Sequence, residues 1–233
     1  MSNTMTSTPA VQRPAVQHRT IFLDFETYYD TEVSLKKIIA PLYVKHPKFH
    51  VIMMAVAVNG SEPEWYRMEE VPEALARLKL DAEGTVVVCH NAQFDGCVLE
   101  YYYDVHPWRY ACTVAMAQVS GMALVAGGGS LALLSEYLTK TFNTPHSKGH
   151  EVSNMVGVRA QDMDEAMWGL YAKYCMDDVR LTRSVYMATA PSRYSRRTDG
   201  PRDGPTRTRT LLPLLLPRPL TRKHTHPPES SVG

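Results

Sequence analysis

The sequence predicts an α/β fold in which helices cover both faces of one mixed central sheet. An apolar run at residues 51–58, the turn pair Asn59-Gly60 and a return strand starting at 63–66 are typical of an antiparallel hairpin. Strand and helix patterns alternate after the hairpin, which is typical of parallel strands with crossover helices. The two patterns in one chain therefore predict a mixed sheet flanked by helices.

The first strand, at residues 21–26, places two carboxylates side by side. Successive side chains of a strand point to opposite faces, so the apolar odd positions would pack into a core while Asp24 and Glu26 project together from the other face. Neighbouring carboxylates repel each other unless a cation neutralises them, and hard divalent ions such as Mg²⁺ take oxygen ligands. The alternative is an exposed strand with two solvated acids, and for this motif alone that is the commoner case.

The remaining elements follow from periodicity and capping residues. Short helices are predicted at 34–39, 71–79, 113–119 and 131–139, the last with Ser130 as its N-cap, and short strands at 85–89 and 108–112. The longest helical pattern follows a cap at Asp162 or Asp164. Its predicted buried stripe consists of Met167, Leu170, Tyr171, Tyr174, Val185 and Tyr186.

A third carboxylate, Asp95, falls on the first turn of a helix predicted at 92–103, with Asn91 as its N-cap. This helix follows the apolar strand 85–89, and α/β folds usually keep their sites just beyond the carboxyl ends of strands. The alternative is that Asp95 only complements the positive end of the helix dipole. The residues alone leave the two interpretations open.

The long helix carries Tyr174 and Asp178, which are four residues apart and so share one face. Asp177 competes with Asp178 for a role in a site, but it is rotated away from Tyr174 and is expected to face water. A tyrosine and an aspartate at this spacing are common on helices and are usually structural. The pair therefore gains meaning only together with the other motifs.

Taken together, D-x-E at 24–26, N-x3-D at 91–95 and Y-x3-D at 174–178 resemble the DEDD superfamily of 3′–5′ exonucleases, in the subgroup with tyrosine in the third motif. The flanking segments LDFETYYDTEVSLKK, APLYVKHPKFHVIMMAVAVNG and VVVCHNAQFDGCVL resemble the proofreading domain of bacteriophage family-A DNA polymerases. The resemblance covers about residues 20–189 and implies a ribonuclease H-like fold.

The resemblance also implies a mechanism with two divalent metal ions, Mg²⁺ or Mn²⁺, about 3.5–4 Å apart. Asp24, Glu26 and Asp178 would hold the first ion, Asp24 would bridge to the second, and Asp95 would reach the second through water. Tyr174 would orient the attacking water. The implied substrate is the 3′ end of single-stranded DNA, from which nucleoside 5′-monophosphates are released.

Composition divides the chain into a lead-in at 1–19, a domain at 20–189 and a tail at 190–233. The chain has a formal net charge of +1, yet residues 191–233 hold nine Lys or Arg against three Asp or Glu, and eight of the sixteen prolines. We expect the lead-in and this basic, proline-rich tail to be disordered. One hypothesis is that the tail is an out-of-frame remnant of a truncated polymerase; the other is that it helps to hold DNA.

Two further functions remain open at this stage: a ribonuclease D-like enzyme that trims RNA, and a non-catalytic nucleic-acid-binding remnant. A separate polymerase chain as a partner also remains open.

The four cysteines lack C-x-x-C spacing, so we expect reduced thiols in a cytoplasmic protein rather than a zinc site or disulfides. No stretch is long and apolar enough to predict a membrane span. Tyr28, Tyr29 and Phe94 are candidates for stacking on unpaired bases.

Overall fold

One mixed sheet runs through the residues that the computed structural model describes, 18–142 and 155–190. Its strands are β1 (Arg19–Thr27), β2 (Val51–Val58), β3 (Glu64–Arg67), β4 (Thr85–Cys89) and β5 (Arg109–Cys112). They lie in the order β3-β2-β1-β4-β5. β1 is antiparallel to β2 and parallel to β4, which is in turn parallel to β5. The predicted mixed sheet is therefore confirmed.

Seven α-helices are described, and turns of another helix type adjoin two of them. They are α1 (Ala40–Val44), α2 (Val71–Leu78), α3 (Ala92–Cys97), α4 (Thr113–Val119), α5 (Met122–Val125), α6 (Leu131–Phe142) and α7 (Glu165–Thr189). A π-helical turn (Val98–Tyr102) continues α3, and a 3₁₀ turn (Ala160–Asp162) precedes α7. The predicted helix at 92–103 is thus α-helical only in its first half.

Apolar layers cover both faces of the sheet. The first contains Ile21, Leu23 and Phe25 of β1 and is covered by α1, α2 and α3. The second contains Phe22 and is covered by α7, whose Tyr186 ring meets Phe22 edge-on at 5.5 Å. The alternation in β1 is confirmed, but the second face of β1 is covered by α7 rather than exposed to solvent. The interpretation of β1 as an exposed strand with solvated acids is therefore wrong.

The predicted helix at 34–39 is wrong, because these residues form a turn in which the Ser34 carbonyl accepts hydrogen bonds from the N–H groups of Lys37 and Ile38. Helix α1 begins only at Ala40. Pro41, in its first turn, explains the shift, because proline fits the start of a helix and cannot donate a hydrogen bond to a preceding turn. The consequence is a non-helical loop directly after β1.

Asp164, one of the two predicted caps, is the N-cap of helix α7. Its carboxylate accepts a hydrogen bond from the Met167 N–H at 2.8 Å. The buried stripe of α7 differs from the prediction. Leu170 is 48% exposed, and the buried positions include Trp168 and Cys175 instead. The stripe follows the i, i+3 and i+7 spacing from Trp168, which turns Leu170 outward.

None of the described helices combines the length and the apolarity needed to cross a membrane. The expectations for the lead-in up to residue 17, for a basic loop within 143–154 and for the tail from residue 191 concern segments outside the described residues.

Candidate active site

Strand β1 holds Asp24 and Glu26 at its carboxyl-terminal end, half-buried and on the face covered by α7. The pairing of β1 with β2 shifts register between Glu26 and Thr27. Such irregularities bend a strand and re-aim its side chains, and they are frequent beside active sites. The two carboxylates thus lie at the point where the regular sheet ends.

The buried stripe of α7 contacts both carboxylates. The Tyr171 hydroxyl donates a hydrogen bond to Glu26 Oε2 at 2.9 Å, and Cys175 Sγ lies 3.7 Å from Asp24 Oδ2. Burial, followed by the charge of Glu26, raises the pKa of the Tyr171 phenol far above its ordinary value. Sequence reasoning placed Tyr171 in the buried stripe but missed its contact with Glu26. The spacing of Tyr171, Cys175 and Asp178 indicates one shared helix face, but it does not indicate Glu26 as the partner of Tyr171.

Asp178 is 6% exposed and lies on the same stripe, near the thiol of Cys175. Tyr174 is half-buried, and its ring stacks on that of Tyr171 with centroids 6.5 Å apart. Asp177 is half-buried rather than facing water, and it forms ion pairs with Lys173 at 2.9 Å and with Arg180 at 2.7 Å. The choice of Asp178 over Asp177 stays a prediction.

Asp95 reaches β1 from the opposite layer. It is 2% exposed. Burial raises its pKa from the ordinary 3.8 to about 7, and the neighbouring backbone N–H groups of Phe25 and Asp95 and the Cys89 thiol offset that rise in pKa only in part. Among the described residues, its Oδ1 has no hydrogen-bond partner. Asn91 occupies the N-cap position without the predicted side-chain capping bond. Asp95 lies in the first turn of α3, so its complementing of the helix dipole stays open beside a role in a site.

The donor atoms of this cluster fit a hard divalent cation. Carboxylate oxygens of Asp24 and Glu26 and the sulfur of Cys175 lie within 4.8 Å of one another. Burial, followed by the charge of Asp24, raises the pKa of the Cys175 thiol well above its ordinary value, which favours the protonated thiol. Oxygen ligands remain, which Mg²⁺ and Mn²⁺ prefer. The unpartnered Oδ1 of Asp95 adds a buried acceptor without a donor, as expected where a cation or its water binds.

A cavity of about 520 Å³ adjoins Glu26 and extends along the loop after β1. Its lining residues include Tyr29, Lys36 and Phe94. Tyr29 is half-buried, whereas Phe94 is 9% exposed and belongs to the apolar layer that contains Ile21. Tyr28 does not belong to this wall, because it is 6% exposed and its ring stacks on His50 with centroids 5.0 Å apart. The expectation that Tyr28 stacks on a base is therefore wrong.

The loop beside this cavity is held by Asp30. Its carboxylate accepts hydrogen bonds from the backbone N–H groups of Glu32 at 2.8 Å and Val33 at 2.7 Å, and from the Lys48 ammonium group at 2.9 Å. The Lys48 hydrogen bond, followed by that of the Val33 N–H, holds the pKa of Asp30 well below its ordinary value. The Lys37 ammonium group donates a hydrogen bond to the Thr31 carbonyl. The loop geometry is thus fixed by local polar contacts.

No protein-family model matches the sequence, and no curated protein is similar enough in sequence to match it. Solved structures match in fold. Brucella melitensis NrnC with bound Mg²⁺ is 16% identical, with 74% of each chain covered and a TM-score of 0.46. NrnC bound to pGG is 16% identical, with 74% of each chain covered and a TM-score of 0.48.

Trypanosoma brucei RNase D is 10% identical, with 76% of this chain and 59% of that chain covered and a TM-score of 0.54. At this identity the similarity concerns the fold. Together with the five-stranded mixed sheet and the helices on both of its faces, it confirms the expected ribonuclease H-like architecture. The narrower resemblance to phage polymerase proofreading domains stays a prediction.

Proposed function

We propose that this chain is a metal-dependent 3′–5′ exonuclease acting on single-stranded nucleic acid. The observation that carries the proposal is the meeting of acids from three separate segments around the end of β1. Asp24 and Glu26 come from β1 itself, Asp95 from α3 and Asp178 from α7. Holding the carboxylates of Asp24 and Glu26 within 4.8 Å of each other, and burying an unpartnered oxygen of Asp95, is costly without a cation.

Each residue has a defined task in this proposal. Asp24, Glu26 and Asp178 would hold the cations, and Asp95 would reach the second cation through water. Bound Mg²⁺ ions supply activation of the attacking water and stabilisation of the leaving 3′-oxygen. Tyr174 orients that water by hydrogen bonding, since a phenol is a poor general base at neutral pH.

The cavity beside Glu26 is the proposed place for the terminal nucleotide. The ring of Tyr29 offers an apolar face for a base or a sugar, and the Lys36 ammonium group offers a positive charge for a phosphate. This combination suits an unpaired strand, because a base must leave its duplex partner to lie against an aromatic wall. The proposed substrate is therefore a single-stranded 3′ end.

Two substrate classes have separate support. The fold similarity to an RNase D supports RNA trimming, which we place first. The resemblance of the segments around β1, β2 and β4 to phage polymerases supports DNA, and with it a proofreading role. A non-catalytic remnant fits less well, because loss of catalysis would remove the need to keep Asp95 buried with an unpartnered oxygen.

End-labelled single strands test the proposal. RNA and DNA of one sequence, each labelled at the 5′ or the 3′ end, are incubated with the protein in Mg²⁺ and in EDTA. We expect a ladder of shortened 5′-labelled products and early release of the 3′ label as mononucleotide, in Mg²⁺ only, with RNA degraded faster. Release of the 5′ label first, or equal degradation in EDTA, would contradict the proposed polarity or metal dependence. Faster degradation of DNA would favour the proofreading role.

A further inference from the structure

Tyr171 contacts a carboxylate of the candidate site but has no role in the proposed reaction. Its hydroxyl donates to Glu26 Oε2 at 2.9 Å, although the two residues are 145 positions apart in sequence. The Tyr171 side chain is 2% exposed, so no water competes for this hydrogen bond. A carboxylate can only accept, and the phenol O–H is therefore the donor.

The next turn of α7 contacts the other carboxylate of the pair. Cys175 follows Tyr171 by four residues, so the two side chains point the same way, and its sulfur lies 3.7 Å from Asp24 Oδ2. One helix face thus contacts Asp24 and Glu26 separately. Tyr174 projects from a neighbouring position and is more exposed than Tyr171, which separates the two tyrosines by location.

We infer that Tyr171 is a positioning residue that fixes the Glu26 carboxylate for cation binding, an inference that rests on the proposed function. With Oε2 engaged by a buried phenol, the carboxylate cannot rotate freely about its last bond before a cation arrives. Carboxylates that bind metals are commonly held by such outer hydrogen bonds, whose loss costs about 10- to 100-fold in metal affinity or activity. Tyr171 acts through Glu26, whereas Tyr174 acts on the attacking water.

The competing interpretation is that Tyr171 only fills the layer between α7 and the sheet. The two interpretations differ in what the hydroxyl does once Glu26 is changed. A packing role acts independently of Glu26, so its effects add to those of a Glu26 variant. A positioning role disappears when the carboxylate it positions is absent, so the two effects do not add.

The test is Mn²⁺ binding by isothermal titration calorimetry to the full chain, measured for the wild type and for Tyr171→Phe. Glu26→Gln and the double variant complete the cycle. Tyr186→Phe is the matched control, because Tyr186 lies on the same helix and packs against Phe22 rather than against a carboxylate. We expect Tyr171→Phe to weaken Mn²⁺ binding about tenfold or more in the wild-type background and to change it little in the Glu26→Gln background. Tyr186→Phe should bind as the wild type does.

Activity at rising Mn²⁺ concentration gives a second readout. Tyr171→Phe should recover toward the wild-type rate as the metal saturates, and Tyr174→Phe should not. Equal Mn²⁺ affinity of Tyr171→Phe and the wild type, or additive effects in the cycle, would overturn the inference and leave the proposed function standing. Absence of Mn²⁺ binding by the wild type would overturn both.

Discussion

Replacing Asp95 by Asn should stabilise the metal-free protein at alkaline pH while damaging its proposed activity. Asn has nearly the same shape as Asp and keeps an acceptor oxygen for the Phe25 N–H, but it cannot ionise. The native carboxyl group is 2% exposed, and burial raises its pKa from 3.8 to about 7. The fold therefore prefers this group uncharged, and the variant is uncharged at every pH.

The size of the effect follows from the two pKa values. A carboxyl group whose pKa is higher in the folded than in the unfolded state binds its proton more tightly when folded. Its contribution to stability is full below about pH 4 and is lost as the pH rises to about 7. Since each pH unit between the two values is worth about 1.4 kcal/mol, the loss approaches about 4 kcal/mol. We expect Asp95→Asn to recover up to this amount at pH 8.

Urea unfolding in EDTA between pH 5 and pH 8 measures this difference, and Asp177→Asn is a control at a carboxylate that is ion-paired with Lys173 and Arg180. The free energy of unfolding of Asp95→Asn should exceed that of the wild type at pH 8, with the difference narrowing toward pH 5. Adding Mg²⁺ should stabilise the wild type more than the variant, because a ligand stabilises only the state that binds it. An Asp95→Asn protein that is less stable than the wild type at pH 8 and keeps its pH dependence would refute the reasoning.

Three further predictions concern the loop, the core and the substrate cavity. Asp30→Asn should lower the free energy of unfolding at neutral pH, because the Lys48 ammonium group and the Val33 N–H favour the ionised form of Asp30. This stabilisation of the wild type is lost as the pH falls through the depressed pKa of Asp30. The melting temperatures of variant and wild type should therefore converge in acid. Equal melting at pH 7 would contradict this role. Leu134→Ala should lower the free energy of unfolding in urea by about 2–5 kcal/mol, because Leu134 is 0% exposed within the layer between α6 and α7. A loss below about 1 kcal/mol, as for an exposed residue, would contradict that packing. Lys36→Ala should raise KM severalfold in a way that weakens with added salt, while kcat stays close to the wild-type value; an unchanged KM would exclude Lys36 as a phosphate contact.

Several elements could be predicted because their signals are local. The bounds of β2 and β4 agree with the uninterrupted apolar runs at 51–58 and 85–89, and the Asn59-Gly60 turn agrees with the left-handed backbone at Asn59, where φ is 56°. Alternation along β1 assigned Asp24 and Glu26 to one face. Each of these features depends on neighbours within a few residues, which a sequence pattern can describe.

Other features depend on contacts between distant segments. The Tyr171–Glu26 hydrogen bond joins residues 145 positions apart, and periodicity indicates only that Tyr171 is buried. The raised pKa of Asp95 arises from burial that α3 and β1 create together. The helix predicted at 34–39 is wrong for a local reason, since the polar contacts of Asp30 and the start of α1 at Ala40 replace the helical pattern. Sequence therefore indicated the acids of the site but not the groups that hold them.

The most direct test of the central claim compares Asp178→Ala with Asp177→Ala. The two acids are neighbours on α7, but Asp178 is buried near the Cys175 thiol, whereas Asp177 forms ion pairs with Lys173 and Arg180. We measure Mg²⁺-dependent release of nucleoside 5′-monophosphates from a 3′-labelled single strand. The account predicts release by Asp177→Ala at close to the wild-type rate and none by Asp178→Ala. Release by Asp178→Ala at the wild-type rate would contradict the assignment of this carboxylate cluster as the catalytic site.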